Sequence, residues 1–322
     1  MTALALSARY VPLSVTIALF LAMAGAGGVL YDGFLSPQVF LNLLIDNAFL
    51  CVAAVGMTFV ILTGGIDLSV GSVIALSTMI SATLVERHAL PAWLVIPLVL
   101  CLGAAFGSLQ GFLVQRFRLQ AFIVTLGGMF LARGLCYLIS TESISIRDPI
   151  YAAIAQARIP LGADASISAG AVIALAVVGG GMWIAHSTQF GRTIYAIGSS
   201  ESSATLMGLP VGSTLIRVYG LSGFCAALAG VVTTFYMLSG YSLHAVGLEL
   251  DAIAAVVIGG TLLRGGVGYV IGTLFGVLTL GIIQTLIAFD GTLTSWWTRI
   301  AVGLLLLLFC LLQRLFESSR RK

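Results

Sequence analysis

Ten apolar runs dominate this chain of 322 residues. A bilayer core of about 30 Å needs about 20 apolar residues per spanning helix. Hydrophobic residues make up 59% of the chain and charged residues only 8%, against about a quarter charged in a soluble domain. The sequence therefore predicts an all-α, polytopic membrane protein with about ten transmembrane helices. The runs fall near 11–31, 47–64, 68–86, 91–115, 121–139, 166–186, 217–239, 251–263, 268–288 and 297–313.

The positive charges favour one orientation of these spans. If the C-terminus is inside, most arginines fall on the cytoplasmic side, as the positive-inside rule requires. We expect one transmembrane domain over 1–322 with both termini cytoplasmic. The short run at 251–263 leaves the parity of the later spans open. The cytoplasmic group comprises Arg9, Arg116, Arg118, Arg192, Arg217, Arg264, Arg314, Arg320, Arg321 and Lys322.

The stretch from Asn47 to Met79 is interrupted by Thr63-Gly64-Gly65-Ile66-Asp67. Glycine pairs expose backbone groups, which in lipid must be satisfied by protein or by a water-filled path, so a broken span suggests a translocation path. The alternative is a tight turn between two spans, with Asp67 capping the second helix through the amides of Ser69 and Val70. The two interpretations are compatible, and both remain open.

An internal sequence similarity supports a translocation path. A shift of 176 residues sets the segment from Phe59 to Gly64 against that from Phe235 to Gly240, and Gly71 against Gly247. With repeat halves at 38–139 and 217–313, the span count implies an inverted repeat with a broken helix in each half. Chance similarity is the alternative in a sequence of so few residue types. The second polar segment contains Ser239, Gly240 and Tyr241.

Few charges lie within the apolar runs. Asp46, Asp67, Arg133, Glu249 and Asp251 are the charges we place at membrane depth, where such groups suggest function. We expect Arg133 to pair with a carboxylate or with carbonyl groups. Uncharged polar residues suit a neutral, hydroxylated solute better, although each could instead make an interhelical hydrogen bond. They are Asn42, Asn47, Thr58, Thr63, Gln110, Gln115, Thr125, Thr233, Thr234, Tyr236 and Gln284.

Several activities are excluded by residues that the chain lacks. Its one lysine is Lys322, so a phosphate-binding GxxxxGK[ST] loop is impossible and ATP hydrolysis would need a separate chain. No metal-ligand spacing occurs, and the five cysteines all lie in apolar runs. Asp46 and Asp67 lie about 30 Å apart along one helix and cannot form a catalytic dyad unless that helix folds back. A net charge of +3 does not indicate nucleic acid binding. We predict no catalytic residue, metal site or bound cofactor.

The inner loop 187–216 carries the signals of a short surface helix. Serines and Glu201 open the segment that starts at Ser199, and Gly208 and Pro210 follow its end. Serine caps, an early acid and a trailing glycine and proline mark helix ends. The helix is either a docking element for a cytoplasmic partner or an ordinary connector.

Four motifs resemble the permease subunits of bacterial carbohydrate-importing ABC transporters of the ribose and galactose class. They are VAAVGMTFVILTGGIDLSVGSVIAL, YAIGSSESSATLMGL, VVIGGTLLRGGVGYVIGTLFG and FDGTLTSWWTRIAVG. The resemblance covers nearly the whole chain. The segments LDAIAAVVIGGTLL and GTLTSWW resemble galactofuranose permeases in particular. Arg264 departs from the small residue expected in GGTLLxGG.

The resemblance implies a bacterial inner-membrane permease for a monosaccharide. Its implied partners are a second permease chain, identical or homologous, an ABC ATPase that holds ATP and magnesium, and a periplasmic sugar-binding protein. It also implies that the inner loop is a coupling helix. Its implied ATPase contacts are Ser199, Glu201, Ala204, Leu206, Met207 and Gly208. The expected translocation residues are Asn47, Thr58, Thr63, Gly64, Gly65, Asp67, Ser239, Gly240 and Tyr241.

Two other functions compete with this one. A secondary transporter or channel would work without ATP. An intramembrane enzyme would need a nucleophile with a base, or paired aspartates, at membrane depth, and the sequence shows no such set. Within the interrupted stretch, the segment from Asn47 to Thr58 is where we expect solute. Asp67 lies near the inner end and is expected to cap the next helix or to act at an inner gate.

Overall fold

The computed structural model describes residues 2–162, 165–292, 294 and 296–319, with side chains from 13 to 311 in those ranges. Arg320, Arg321 and Lys322, which were used for orientation, lie outside it. The helices are α1 Thr2–Leu30, α2 Pro37–Asp46, α3 Ala48–Leu62, α4 Val70–Ala82, α5 Ala92–Phe117, α6 Ala121–Ile139, α7 Pro149–Gln156, α8 Ala169–Ser187, α9 Gln189–Ser199, α10 Glu201–Leu206, α11 Val211–Met237, α12 Leu248–Ile258, α13 Val270–Asp290 and α14 Trp296–Ser319. The strands are β1 Ile144–Ser145, β2 Arg158–Gly162, β3 Ala165–Ser168 and β4 Ser239–Gly240.

The helical membrane fold is confirmed. Each of the ten apolar runs coincides with a helix. Within the described residues, seven helices are long and apolar enough to cross a bilayer, and the bent pair α2 and α3 would make an eighth span. The apolar part of α14, Trp296–Leu311, is shorter. α12 has only 11 residues, which accounts for the short run seen there in the sequence.

The second span is bent at its start, where the sequence predicted an unbroken helix from Asn47. α2 and α3 meet at an angle of 59°, with Asn47 between them at φ −108°. The Asn47 side-chain amide donates to the carbonyl of Leu43 at 3.0 Å. The Asn47 backbone amide donates to the carbonyl of Ile45. A side chain that takes the i−4 carbonyl replaces the helical backbone bond and permits the bend.

α3 lies at the centre of the molecule. All of its residues except Phe49 are buried, because it packs against α8, α11, α12 and α13. A helix that is apolar on every side is expected in such a position. The turn that follows α3 is therefore surrounded by protein, and this placement positions the candidate site.

Glycines set the distance between α5 and α11. A Cβ added to Gly107 would overlap the carbonyl oxygen of Tyr219, and one added to Gly223 would overlap that of Gly103. Small residues let backbones of membrane helices approach closely, where van der Waals contact holds them together. These glycines therefore determine where α11 carries its polar side chains.

The loop between α6 and α8 is structured on the side where α11 ends. β1 pairs antiparallel with β4, Ile144 opposite Gly240, and β2 and β3 form a second ribbon. Asp148 caps α7 by accepting from the amides of Ile150 and Tyr151. Elements this short carry no periodic signal in the sequence.

Alanine at Gly107 should destabilise the fold, whereas alanine at Gly179 should not. An added Cβ at Gly107 overlaps backbone, while at Gly179 in α8 nothing lies within 4 Å. We expect Gly107→Ala to cost about 1–3 kcal/mol through overpacking and Gly179→Ala to change stability by less than about 1 kcal/mol. Thermal unfolding in detergent measures both. Equal melting temperatures would contradict the packing argument.

Candidate translocation and coupling site

The glycine pair after α3 forms a tight turn. Gly64 adopts φ +81°, and the amides of Gly64 and Gly65 donate to the carbonyls of Ile61 and Val60 at 2.8 and 3.1 Å. Glycine is favoured at this left-handed position, where it closes the helix and satisfies its last carbonyls. Thr63 bonds locally to the Val60 carbonyl at 2.7 Å. Of the two interpretations of the sequence, the structure shows the turn.

Asp67 is a buried cap in that turn. Its side chain is 1% exposed. Oδ1 accepts from the amide and hydroxyl of Ser69 at 3.0 and 2.6 Å, and Oδ2 accepts from the Ser222 hydroxyl at 2.7 Å. The expected Ser69 amide bond is confirmed, and the other donors are hydroxyls rather than the Val70 amide. The carboxylate therefore ties the start of α4 to α11.

Two further polar groups surround this cap. Gln110 of α5 accepts from the Ser69 hydroxyl at 3.2 Å, and Thr125 of α6 donates to the carbonyl of Ile66 at 3.3 Å. The Tyr219 hydroxyl lies where a Cβ on Gly65 would approach it to 2.5 Å. The turn is thus held by α4, α5, α6 and α11 together. The sequence singled out Asp67 but not Ser222 or Tyr219, since nothing local connects them.

Three backbone segments meet on the other side of the turn. The Gly266 amide donates to the Leu62 carbonyl at 2.9 Å. A Cβ on Gly198, near the end of α9, would overlap that carbonyl and the Gly266 amide, and a Cβ on Gly265 would lie 2.7 Å from the Gly64 amide. We call the contact of Leu62, Gly198, Gly265 and Gly266 the glycine junction. Only glycine allows this approach.

The short surface helix predicted in the inner loop is confirmed as α10. Ser200 caps it by accepting from the Ser203 amide at 3.2 Å, and Gly208 after its end has φ +74°. Ala204 is buried against Ile197 of α9 and Val211 of α11. Its tip is open, because Leu206 is 89% and Met207 66% exposed.

The remaining predicted coupling residues, Ser199 and Glu201, lie at the start of α10. Glu201 is exposed in the first turn, and the Ser199 hydroxyl bonds to the Tyr195 carbonyl at 2.9 Å within α9. α9 itself was not predicted. Since α9 runs from the Thr188 cap to the glycine junction, α10 is joined directly to the α3–α4 turn. The ATPase contacts themselves stay a prediction.

The second predicted polar segment lies against α4. A Cβ on Gly240 would overlap the Thr78 carbonyl, and one on Gly71 would overlap the Ala245 carbonyl and the Glu249 carboxylate. Ser239 is in strand β4 and Tyr241 follows it, half-buried. The two interrupted segments therefore touch through α4. The inverted repeat stays a prediction.

Arg133 satisfies backbone groups, as expected. It donates to the carbonyl of His244 at 2.9 Å and also to that of Ser242. A charge on a membrane helix is held where such acceptors are available. Arg133 thereby fixes the loop between β4 and α12.

Asn47 and Thr58 lie apart. Thr58 is fully buried and bonds to the Ala54 carbonyl and the Thr273 hydroxyl, both at 2.7 Å. Asn47 lines a cavity of about 270 Å³ with Asp46 and Gln284. Contact with solute stays a prediction for both, and the cavity favours the Asn47 end of the segment.

Removing the Ser222 hydroxyl should destabilise the turn. Ser222→Ala leaves Asp67 Oδ2 without its donor, at a cost of about 1–3 kcal/mol for a buried group. The control Ser213→Ala is on the same helix but exposed, where its hydroxyl donates to Pro210 at 3.3 Å, so about 0.5 kcal/mol or less is expected. Thermal unfolding in detergent compares them, and an equal loss in both would contradict the assignment.

Comparisons with known proteins agree with this architecture. Residues 39–310 match the model of the family described as "Branched-chain amino acid transport system / permease component". The inner membrane ABC transporter permease protein YjfF of Escherichia coli is 52% identical over 311 residues, which cover 95% of this chain and 92% of the relative. No solved structure matches.

Two more relatives cover most of the chain. The fructose import permease protein FruG of Bifidobacterium longum is 42% identical, covering 96% of this chain and 92% of the relative. The ribose import permease protein RbsC of Haemophilus influenzae is 39% identical, covering 85% of this chain and 84% of the relative. With the family match over 39–310, these similarities show that the chain belongs to the "Branched-chain amino acid transport system / permease component" family.

Proposed function

We propose that this chain is the membrane-spanning subunit of an ATP-driven importer for a monosaccharide, galactofuranose or a related sugar. It works in the bacterial inner membrane with both termini cytoplasmic. Its partners are a second permease chain, an ABC ATPase that binds ATP and magnesium, and a periplasmic sugar-binding protein. Relatives named for fructose and ribose import support the class of solute.

One observation supports the proposal: two exposed apolar side chains at the tip of α10 are connected to the interrupted stretch through α9 and the glycine junction. Leu206 and Met207 project from α10, and α9 ends on the glycine junction beside Gly64. Exposed apolar groups at a helix tip mark a protein contact. A secondary transporter has no use for such a contact, whereas an ATPase can act through it.

The mechanism follows from this connection. Closure of the ATPase on ATP moves α10, and α9 transmits the displacement to the α3–α4 turn because backbone there meets backbone. The turn is anchored on its other side by Asp67 to α4 and α11. Displacement of one side against the other opens the inner end of a path whose outer part begins near Asn47.

Reconstitution separates this function from transport without ATP. We expect liposomes with the complete importer to take up sugar only with ATP, and liposomes with this chain alone to show no flux. The double variant Leu206→Asp, Met207→Asp should lower ATP-driven uptake by about tenfold or more, since buried carboxylates replace apolar contacts at the ATPase.

A matched control keeps the result specific. The double control Ile159→Asp, Leu161→Asp places the same two charges on side chains of β2 that are 47% and 58% exposed, in the opposite loop. It should retain ATP-stimulated uptake. ATP-independent sugar flux through this chain alone would support the secondary-transporter alternative. Normal coupling in the double variant would remove α10 from the mechanism.

A further inference from the structure

A large cavity lies away from the α3–α4 turn, between α12, α13 and α14. It measures about 780 Å³ and is lined mostly by apolar side chains, including Leu50, Ile253 and Ile287. Four polar side chains reach it: Asp251, Gln284, Thr298 and Arg299. Cavities of about 300–1,000 Å³ with apolar walls and a few polar groups are typical of small-molecule sites.

The two charges in this cavity come from different helices. Asp251 lies in the first turn of α12, and Arg299 is on α14, with Nη1 3.3 Å from where a Cβ on Gly247 would lie. Within the described residues neither side chain makes a hydrogen bond to another residue. Both can therefore bond to a solute between them.

A second cavity adjoins the first. Its volume is about 270 Å³, and Asn42, Asp46, Asn47 and Thr285 line it. Gln284 and Ala288 line both cavities. The polar face of α13 thus runs from the bend at Asn47 to Asp251 and Arg299. This polar face connects the segment from Asn47 to Thr58, where we expect solute, to Asp251 and Arg299, which have no role in the proposed mechanism.

We propose that Asp251, Gln284 and Arg299 form a monosaccharide-binding station on the translocation route. The station rests on the proposed function and specifies where the solute is held. A carboxylate accepts from sugar hydroxyls, a guanidinium donates to them, and an amide does both. The apolar walls pack against the C–H faces of the ring.

The net charge of the station favours a neutral solute. Arg299 disfavours a cation and Asp251 disfavours an anion. A zwitterionic amino acid would satisfy both charges, but the remaining polar lining, apart from the Asp46 carboxylate, is made of amides and hydroxyls, from Gln284 and Thr298 to Asn42 and Thr285. These groups match several hydroxyls better than one ammonium and one carboxylate.

Uptake by the complete importer tests the station. The probes are labelled D-galactose, D-ribose, D-fructose and L-leucine. Asp251→Asn and Arg299→Gln should each lower the initial rate for the transported sugar by about tenfold, as loss of a charged hydrogen bond implies. ATP hydrolysis stimulated by the binding protein should stay within about twofold. Glu142→Gln, exposed in the outer loop, should behave as wild type.

Protection from a charged thiol reagent gives a second measurement that does not remove either charge. Ala288→Cys is made in a chain whose Cys101 and Cys310 are replaced by alanine, with Glu142→Cys as the control. Saturating sugar should slow labelling at Ala288→Cys about tenfold but leave labelling at Glu142→Cys unchanged. Asp251→Asn should abolish this protection.

The outcomes separate the two proposals. Uptake of L-leucine and of no sugar by the wild-type importer would overturn the proposed function, and the station with it. Sugar uptake that both charge variants retain, or labelling of Ala288→Cys that sugar does not slow, would overturn the station alone. Sugar-dependent protection that Asp251→Asn removes would support it.

Discussion

The contact of four backbone groups at the glycine junction determines how the rest of this molecule can move. Leu62 closes α3, Gly198 lies one residue before the end of α9, and Gly265 and Gly266 follow α12, with the Gly266 amide bonded to the Leu62 carbonyl at 2.9 Å. No side chain separates these segments. A displacement of α9 must therefore displace the end of α3, because close-packed interiors transmit strain instead of absorbing it.

The opposite side of the same turn is held by polar bonds. Asp67 joins α4 to α11 through Ser69 and Ser222, and α11 is fixed to α5 by the glycines that allow Gly103 and Gly223 to meet. The turn thus lies between two groups of helices. On one side it contacts α9, which continues into α10, and on the other it is held by α4, α5 and α11. The cavities near Asn47 and Asp251 lie beyond the other end of α3, where a displacement of α9 would change their access. Such an arrangement suits a permease whose conformational change is driven by a separate protein bound at α10.

Much of the fold could be predicted because its signals are local. The apolar runs follow from length and composition, and α10 follows from Ser200, Gly208 and their spacing. The bend at Asn47 could not be predicted, since it depends on the side chain taking the Leu43 carbonyl, which an asparagine in a helix need not do. The glycine junction was missed for a different reason. Gly198 is ordinary in its own helix, and only the tertiary fold brings it to Leu62 and Gly266.

The central claim is that α10 moves as one body with the glycine junction. Spin labels at Ser202→Cys, exposed on α10, and at Leu263→Cys beside the junction, in a chain whose native cysteines are replaced, allow their separation to be measured by pulsed electron resonance in the complete importer. We predict the same distance with and without ATP, while the distance from Ser202→Cys to Leu243→Cys, in the loop before α12, changes. A distance between Ser202→Cys and Leu263→Cys that shifts with ATP would show that α10 moves without the junction and would contradict the account.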